Sequence, residues 1–248
     1  MDQPESGPSL IARMTEQAKK FGAERVSDTI KEVSLEGDVK VLKGEKGEYQ
    51  AKNIIIATGA HARPIGCKGE AEFLGRGVSY CAVCDGPFFK EKTAAVVGGG
   101  SAALQDALYL AGICSKVYLI HRRDTFRAEK SLIDQVMAEE NIECVMESHV
   151  TALIGEKKLT ELEVTNLSGE KKTLVADGLF VAIGMEPHNE VFRDLVDLDE
   201  AGYVIAGENC KTRTPGVYAA GDCRTKTVRQ LTTAAADGTV CGLVCKAV

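Results

Sequence analysis

The stretch TAAVVGGGSAALQDALYLAGI, residues 93–113, decides the fold. The apolar run TAAVV leads into three glycines, and the residues that follow repeat apolar side chains at helical spacing. Gly98, Gly100 and Ala103 form G-x-G-x-x-A between the predicted strand and a helix that begins at Ser101. Such a turn lets a pyrophosphate approach the free N–H groups at the start of the helix. The sequence therefore predicts a dinucleotide-binding unit.

The end of the next strand indicates which dinucleotide binds. The strand VYLI runs into His121, Arg122 and Arg123, and Arg127 follows one turn later. NAD-binding units place a carboxylate at this strand end for the ribose 2′-hydroxyl, whereas here Asp124 comes only after the arginines. Guanidinium groups bind phosphate through paired hydrogen bonds, so we predict that this cluster binds the 2′-phosphate of NADPH. The alternative is a solvated basic edge.

The remaining pattern predicts an α/β protein of two domains. Predicted strands alternate with helices from residue 93 onward, which indicates a parallel sheet covered by helices. The other predicted elements are an amphipathic helix over 10–21, an antiparallel meander near 27–35, 39–42 and 48–50, a buried strand in 53–60, a helix over 128–142, strands in 178–184 and 214–222, and a C-terminal helix from about Gln230.

Composition excludes several classes of protein. The 248 residues are 44% hydrophobic and 27% charged, and the net charge of −6 argues against a general nucleic-acid surface. No apolar run approaches the roughly 20 residues that span a bilayer. The start, MDQPESGPSL, lacks the basic and apolar segments of a signal peptide. We therefore expect a cytoplasmic protein without membrane or nucleic-acid partners.

Two of the nine cysteines stand close together in YCAVCDGPFF, residues 80–89. Cys81 and Cys84 could be zinc ligands, a structural bridge or a redox pair. Zinc needs four ligands, but the only other close pair, Cys241 and Cys245, has the spacing of one helix face, and the four histidines stand singly. We therefore predict no metal site, and interpret the Cys241 pair as helix packing.

Redox exchange is favoured because Cys-x-x-Cys stands in a chain with βαβ units. Asp85 follows the pair directly, and a carboxyl group there can carry the proton that disulfide chemistry requires. Asp85 also begins DGP, a turn signature, and both roles are compatible. Substitution of Cys81 would separate a redox pair from a structural clamp.

Together these motifs resemble the low-molecular-weight, bacterial-type thioredoxin reductases. CAVCDG is similar to the family's redox centre, and VVGGGSAA with HRRDTFRAEK is similar to its NADPH module. ATGA, FVAIG and AAGDCRTKTVRQ resemble its flavin-proximal and hinge segments. The resemblance runs in order from about Ser9 to near Val248.

The resemblance implies two Rossmann-like, three-layer domains: a discontinuous FAD domain over 1–65 and 186–248, and an NADPH domain over 66–185 with hinges near 66–70 and 184–186. Electrons would pass from NADPH through FAD to the Cys81–Cys84 disulfide and then to thioredoxin or a similar small disulfide protein. Cys84 would face the flavin, Cys81 would attack the partner disulfide, and Asp85 would be the acid–base residue. A homodimer is also implied. The FAD-binding residues would be Thr58, Gly59, Gly221, Asp222, Arg229, Gln230 and Leu231.

The family begins with a strand–glycine loop–helix unit that holds the FAD pyrophosphate, and we find no such unit before residue 10. We therefore expect an N-terminally truncated FAD domain. Two alternatives remain: a catalytically impaired NADPH-binding remnant, and the same flavoenzyme chemistry with another partner, such as a peroxiredoxin-system reductase.

Overall fold

The computed structural model describes residues 6–246, with the side chain of Lys246 excluded. The prediction about a leader peptide falls partly on residues 1–5, which lie outside the described residues. The chain divides into two compact units. We call Met1–Gly59 with His188–Val248 the terminal unit, and Ala60–Pro187 the central unit. The sequence boundaries were 65/66 and 185/186, and what each unit binds stays a prediction.

The helices and strands are named in chain order. They are α1 (Gly7–Lys20), β1 (Ile30–Glu36), β2 (Val39–Gly44), β3 (Glu48–Ala51), β4 (Ile54–Ile56), β5 (His61–Ala62), α2 (Glu70–Phe73), β6 (Val78–Ser79), α3 (Ala82–Asp85), β7 (Thr93–Val97), α4 (Ser101–Ala111), β8 (Lys116–Ile120), α5 (Lys130–Ala138), β9 (Ile142–Val145), β10 (Ser148–Gly155), β11 (Leu159–Asn166), β12 (Lys171–Val175), β13 (Gly178–Val181), β14 (Met185–Glu186), β15 (Val217–Ala219) and α6 (Leu231–Lys246).

A five-stranded parallel sheet in the order β6-β13-β7-β8-β9 forms the centre of the central unit. Both faces of β7 are buried: Ala95 packs in one apolar cluster, and Ala94 and Val96 pack in a second cluster with α4 and α5. A sheet covered on both faces requires apolar strands of this kind. The predicted parallel sheet and its glycine-loop helix are confirmed.

A second sheet in the central unit was not predicted. β10, β11 and β12 form an antiparallel sheet whose residues Leu153, Leu162 and Leu174 complete the first apolar cluster. The predicted helix over 128–142 is shorter and ends at Ala138. The residues after it form β9, because Ile142–Val145 pairs with β8 at the sheet edge.

The terminal unit contains the predicted meander, with β1, β2 and β3 paired antiparallel in that order. The short strands β4 and β15 pair in parallel. The prediction that β4 is wholly buried was wrong, because its central residue Ile55 is 44% exposed while its neighbours are buried. The second three-layer Rossmann-like domain stays a prediction.

The helices of the terminal unit differ in their packing. In α1, Ser6 caps the N-terminus by accepting the Ser9 N–H at 3.3 Å, and no residue of this helix is buried. In α6, Cys241 is buried against Tyr218 of β15. Within residues 6–246, no helix is both long and apolar enough to cross a membrane.

Candidate redox and nucleotide sites

Cys81 and Cys84 form a disulfide in the central unit. Cys81 is the residue before α3, and its Sγ accepts the Cys84 N–H at 3.2 Å. A backbone N–H aimed at sulfur stabilises a thiolate more than a thiol, so this contact favours charge on Cys81 once the bridge opens. Cys84 is exposed and Cys81 is half-buried. The predicted pairing is therefore geometrically realised.

Asp85 is tied to this bridge through Ser79. The Ser79 hydroxyl donates to Asp85 Oδ2 at 2.6 Å and accepts the Cys81 N–H at 3.1 Å. Ser79 is buried and ends β6, which pairs with β13. A carboxyl group is thus fixed to the backbone that carries the disulfide. Asp85 is the last residue of α3, and the 3-10 helix Gly86–Phe89 follows it directly, so its predicted role as a turn residue stays a prediction.

Two apolar side chains close in sequence to the disulfide are exposed. Val83 lies between the two cysteines and is 61% exposed, and Phe88 is 73% exposed. Its neighbour Phe89 is instead anchored, with its ring edge against Phe180 at a centroid distance of 5.3 Å. An exposed apolar surface beside a disulfide fits contact with another protein.

The glycine loop between β7 and α4 has two tight positions and one open position. A Cβ on Gly98 would lie 2.5 Å from both Ala103 Cβ and Ala182 O, and a Cβ on Gly99 would overlap the His121 ring. A Cβ on Gly100 would meet only Arg127 O, at 4.0 Å. Space above Gly100 and α4 N–H groups that begin at Ser101 fit the pyrophosphate of a dinucleotide.

His121 is buried rather than free at the strand end. Its ring stacks on Phe126 at 5.5 Å, and its Nε2 lies 3.0 Å from Thr125 O. Burial lowers the pKa of His121, and the neighbouring Arg122 and Arg127 lower it further. The structure therefore places this residue beneath Gly99, where it supports the loop.

One of the three arginines is tied to the glycine loop. Arg127 N–H donates to Gly99 O at 2.6 Å, which fixes the arginine segment against the glycines. Arg122, Arg123 and Arg127 are exposed, and within residues 6–246 their guanidinium groups make no ion pair or side-chain hydrogen bond. Their charges are available to a phosphate.

Asp222 is the unsatisfied polar group of the terminal unit. Its Oδ1 is buried and has no hydrogen-bond partner among the described residues, and it stands in the 3-10 turn Gly221–Cys223 after β15. A buried acceptor without a partner can receive a hydrogen bond from a bound molecule, and a hydroxyl group of FAD could supply that bond. The residues present therefore fit the group that the resemblance implies.

Residues that the sequence did not indicate hold this turn. Asn189 is fully buried, accepts from Thr58 Oγ1 at 2.7 Å and donates to Cys223 O at 3.0 Å. Arg229 Nε donates to Asp222 O at 3.3 Å, and its guanidinium lies 4.0 Å from the Tyr203 ring centroid. The predicted Thr58, Asp222 and Arg229 thus converge on one turn.

An ion cluster fixes the same turn from α6. Asp237 accepts from Gly221 N–H at 2.8 Å, from Arg224 at 2.9 and 2.7 Å, and from Lys226 at 2.8 Å. Burial raises the pKa of Asp237, but the hydrogen bonds from Arg224, Lys226 and Gly221 outweigh burial and hold that pKa well below its usual value. A single acid in the small-residue run TAAADGTV was its only sequence signal.

The other predicted residues are placed less specifically. Gly59 has φ +71°, which marks the turn after β4, and Gln230 and Leu231 are exposed at the start of α6. Of the free cysteines, four are buried: Cys114, Cys210, Cys223 and Cys241. No cluster of three potential metal ligands occurs within residues 6–246.

Comparison with known proteins identifies the family. The model of the pyridine nucleotide-disulphide oxidoreductase family matches residues 3–238. A thioredoxin reductase of Peptoclostridium acidaminophilum is 46% identical over 242 residues, which are 95% of this chain and 77% of the relative. The bifunctional thioredoxin reductase/thioredoxin of Mycobacterium leprae is 43% identical, over 94% of this chain and 52% of the relative.

A solved structure gives the same result for the fold. The crystal structure of thioredoxin reductase from Streptococcus pyogenes matches with a TM-score of 0.92 and 37% identity, over 99% of this chain and 82% of that one. The identity to these relatives, the matched family model and the disulfide-bearing α/β unit agree. The chain therefore belongs to the pyridine nucleotide-disulphide oxidoreductases and, within them, to the bacterial-type thioredoxin reductases.

Proposed function

We propose that this chain is an NADPH-dependent flavoprotein disulfide oxidoreductase that reduces thioredoxin or a similar small disulfide protein. The single observation that carries the proposal is the Cys81–Cys84 bridge in the same compact unit as a dinucleotide loop. The loop supplies a reductant site, and the bridge is the group to be reduced. The thioredoxin reductase named among the relatives supports this choice of substrate.

NADPH is assigned to the glycine loop of the central unit. Gly98 and Ala103 bring α4 close to the sheet, and the N–H groups from Ser101 onward face the pyrophosphate. Arg122 and Arg123 hold the 2′-phosphate, since their guanidinium groups have no competing ion pair within residues 6–246. His121 acts indirectly, by supporting Gly99.

FAD is assigned to the turn of the terminal unit. Asp222 Oδ1 would accept from a hydroxyl of the cofactor, and Arg229 contacts the Asp222 backbone. On the family resemblance we assign Thr58, Gly59, Gly221, Gln230 and Leu231 to the same cofactor. Bound FAD supplies the two-electron relay between nicotinamide and disulfide. The truncation of this domain stays a prediction.

The disulfide step uses residues of the central unit alone. Two electrons and two protons open the bridge to a dithiol. The Cys81 thiolate then attacks the partner disulfide to form a mixed disulfide. Cys84 next attacks Cys81 in that mixed disulfide, which re-forms the Cys81–Cys84 bridge and releases the partner as a dithiol. Asp85 holds and returns the proton, and Ser79 fixes its carboxylate.

The partners and setting follow from the family. The Mycobacterium leprae relative carries both a thioredoxin reductase and a thioredoxin in its name, which supports thioredoxin as the electron acceptor. Exposed Val83 and Phe88 offer that partner an apolar contact beside the bridge. A homodimer in the cytoplasm completes the proposal, on the family resemblance.

The test is thioredoxin-dependent oxidation of NADPH by the purified chain after incubation with FAD. We expect bound flavin absorbance that bleaches on addition of NADPH, and turnover that requires thioredoxin. Asp222→Ala is the matched variant for flavin, and Asp194→Ala, which changes an exposed acid of the same unit, is its control. Loss of flavin only in Asp222→Ala supports the assignment.

Two outcomes would contradict the proposal. A chain that binds NADPH but neither retains flavin nor oxidises NADPH would be the non-catalytic remnant. A chain that oxidises NADPH with bound flavin but does not reduce thioredoxin would support the alternative of the same flavoenzyme chemistry with another partner.

A further inference from the structure

Glu70 joins two separate segments of the central unit through one buried carboxylate. The residue is 6% exposed. Its Oε1 accepts from Ile65 N–H at 3.0 Å and from the Tyr80 hydroxyl at 2.9 Å, and its Oε2 accepts from Gly66 N–H at 2.7 Å. A buried carboxylate depends on such donors, because each replaces water that burial has removed. The three contacts therefore constrain both segments.

One segment carries the disulfide. Tyr80 directly precedes Cys81, and the residue before it, Ser79, is held in β6 and receives the Cys81 N–H. The backbone on either side of Tyr80 is thus fixed locally, while its side chain is fixed at a distance by Glu70. Burial and the bond to Glu70 raise the pKa of Tyr80 to about 12, so its phenol stays a donor at physiological pH.

The other segment is where the chain enters the central unit. Ile65 and Gly66 follow β5, which pairs with β14, and they precede α2. Gly66 has φ +75°, a left-handed conformation that its N–H bond to Glu70 helps to hold. Gly66 and Glu70 are the first and last residues of the predicted hinge at 66–70. Glu70 thus links the entry of the chain to the residue before the attacking sulfur.

We infer that Glu70 and Tyr80 are positioning residues: their hydrogen bond fixes Cys81 relative to the entry segment at Ile65 and Gly66. The assignment of Cys81 as the attacking sulfur rests on the proposed function, whereas the contact itself does not. Loss of either side chain releases the backbone before Cys81 and exposes its half-buried sulfur. Neither residue touches a reacting atom in this scheme.

The first test needs neither flavin nor thioredoxin. The chain is reduced, reacted with iodoacetamide at several pH values, and analysed cysteine by cysteine by mass spectrometry. In Tyr80→Phe and Glu70→Leu we expect Cys81 to react about tenfold faster or more, because each variant loses a hydrogen bond to a charged acceptor, which is stronger than a bond between neutral groups. Tyr118→Phe makes the same chemical change on β8, and should leave the rate unchanged.

Cys114 provides an internal control for unfolding, since it is buried in the same unit. Its reaction rate should stay at the wild-type value in both variants. The double variant Glu70→Leu with Tyr80→Phe should accelerate Cys81 no more than the larger single change, because both single variants remove the same Tyr80–Glu70 hydrogen bond. Additive effects would mean that the residues act separately and would overturn the inference.

The second test measures thioredoxin-dependent turnover per bound flavin. We expect kcat to fall about tenfold in each variant, with KM for NADPH unchanged because the glycine loop is untouched. An unchanged Cys81 reaction rate, or one that rises only in parallel with Cys114, would overturn the inference. Absence of turnover in the wild-type chain would contradict the proposed function instead and leave the alkylation result valid.

Discussion

Replacement of Asp237 by asparagine tests how the turn of the terminal unit is held. The Asp237 side chain is 8% exposed and receives hydrogen bonds from Arg224, Lys226 and Gly221. Arg224 and Lys226 are 4% and 8% exposed, so Asp237→Asn leaves two buried cations without a counter-ion. Removal of one partner from a buried ion pair costs about 3–5 kcal/mol. We expect the free energy of unfolding to fall by that amount.

The matched control is Asp197→Asn in the same unit. Asp197 pairs with Arg213 at 2.8 Å, but the two side chains are 52% and 46% exposed. Exposed pairs of this kind contribute about 0–1 kcal/mol. Urea unfolding followed by far-ultraviolet circular dichroism compares the variants, and hydrogen exchange of the Gly221 amide reports the local bond to Asp237.

The dependence on pH gives the refuting result. The pKa of folded Asp237 is lowered from 3.8, so its stabilisation is present above about pH 4 and is lost as the pH falls through the folded pKa. The difference between wild type and Asp237→Asn should therefore narrow in acid. A difference no larger than that of Asp197→Asn, or one that persists unchanged in acid, would refute the reasoning.

Four further predictions concern the central unit. Arg122→Ala should raise the dissociation constant for NADPH about tenfold or more while leaving that for NADH unchanged; calorimetry with both nucleotides checks this, and equal losses would contradict it. Cys81→Ser should abolish disulfide reduction with an unchanged circular dichroism spectrum, whereas an unfolded variant would indicate a structural clamp. Asp85→Asn should slow turnover about a hundredfold and alter its pH profile; an unchanged profile would return Asp85 to its turn role. Burial, with Glu70 nearby, raises the pKa of Cys67 from 9.0 to about 11. Its alkylation should therefore be slow at neutral pH. Its contribution to the stability of the fold should be lost as the pH rises from 9.0 through about 11. Rapid alkylation of Cys67 in the native protein at neutral pH would contradict this.

Local patterns predicted the parts of the fold whose contacts are local in sequence. The apolar strand before Gly98 and the helix after it needed no distant partner to be recognised, and the meander followed from alternation and turns. The Cys81–Cys84 bridge closes over three residues, so the spacing, the lack of further zinc ligands and the βαβ context together indicated it. The same alternation is present in β10 and β11, although the sequence prediction did not include the sheet that they form.

Contacts between distant residues could not be predicted in this way. Thr58 and Asn189 are 131 residues apart, and the bond between them depends on how β4 and β15 pair. Glu70 and Tyr80 are polar residues whose burial depends on the packing of α2 against β10. His121 was predicted to bind the nucleotide because it begins a basic run, yet its ring is buried beneath Gly99. The sequence alone does not indicate whether the His121 side chain points toward the glycine loop or toward solvent.

The crowding at Gly98 and Gly99 bears on how this loop evolves. Their hydrogens face Ala103, Ala182 and His121, so a larger side chain is excluded by the protein itself, with or without a bound nucleotide. Gly100 is the position where space is left for a ligand. A descendant that abandoned its coenzyme would be released from selection at Gly100 while the first two glycines persisted. In such lineages Gly98 and Gly99 would be kept by packing alone. Substitution at Gly100 would then mark the loss of nucleotide binding.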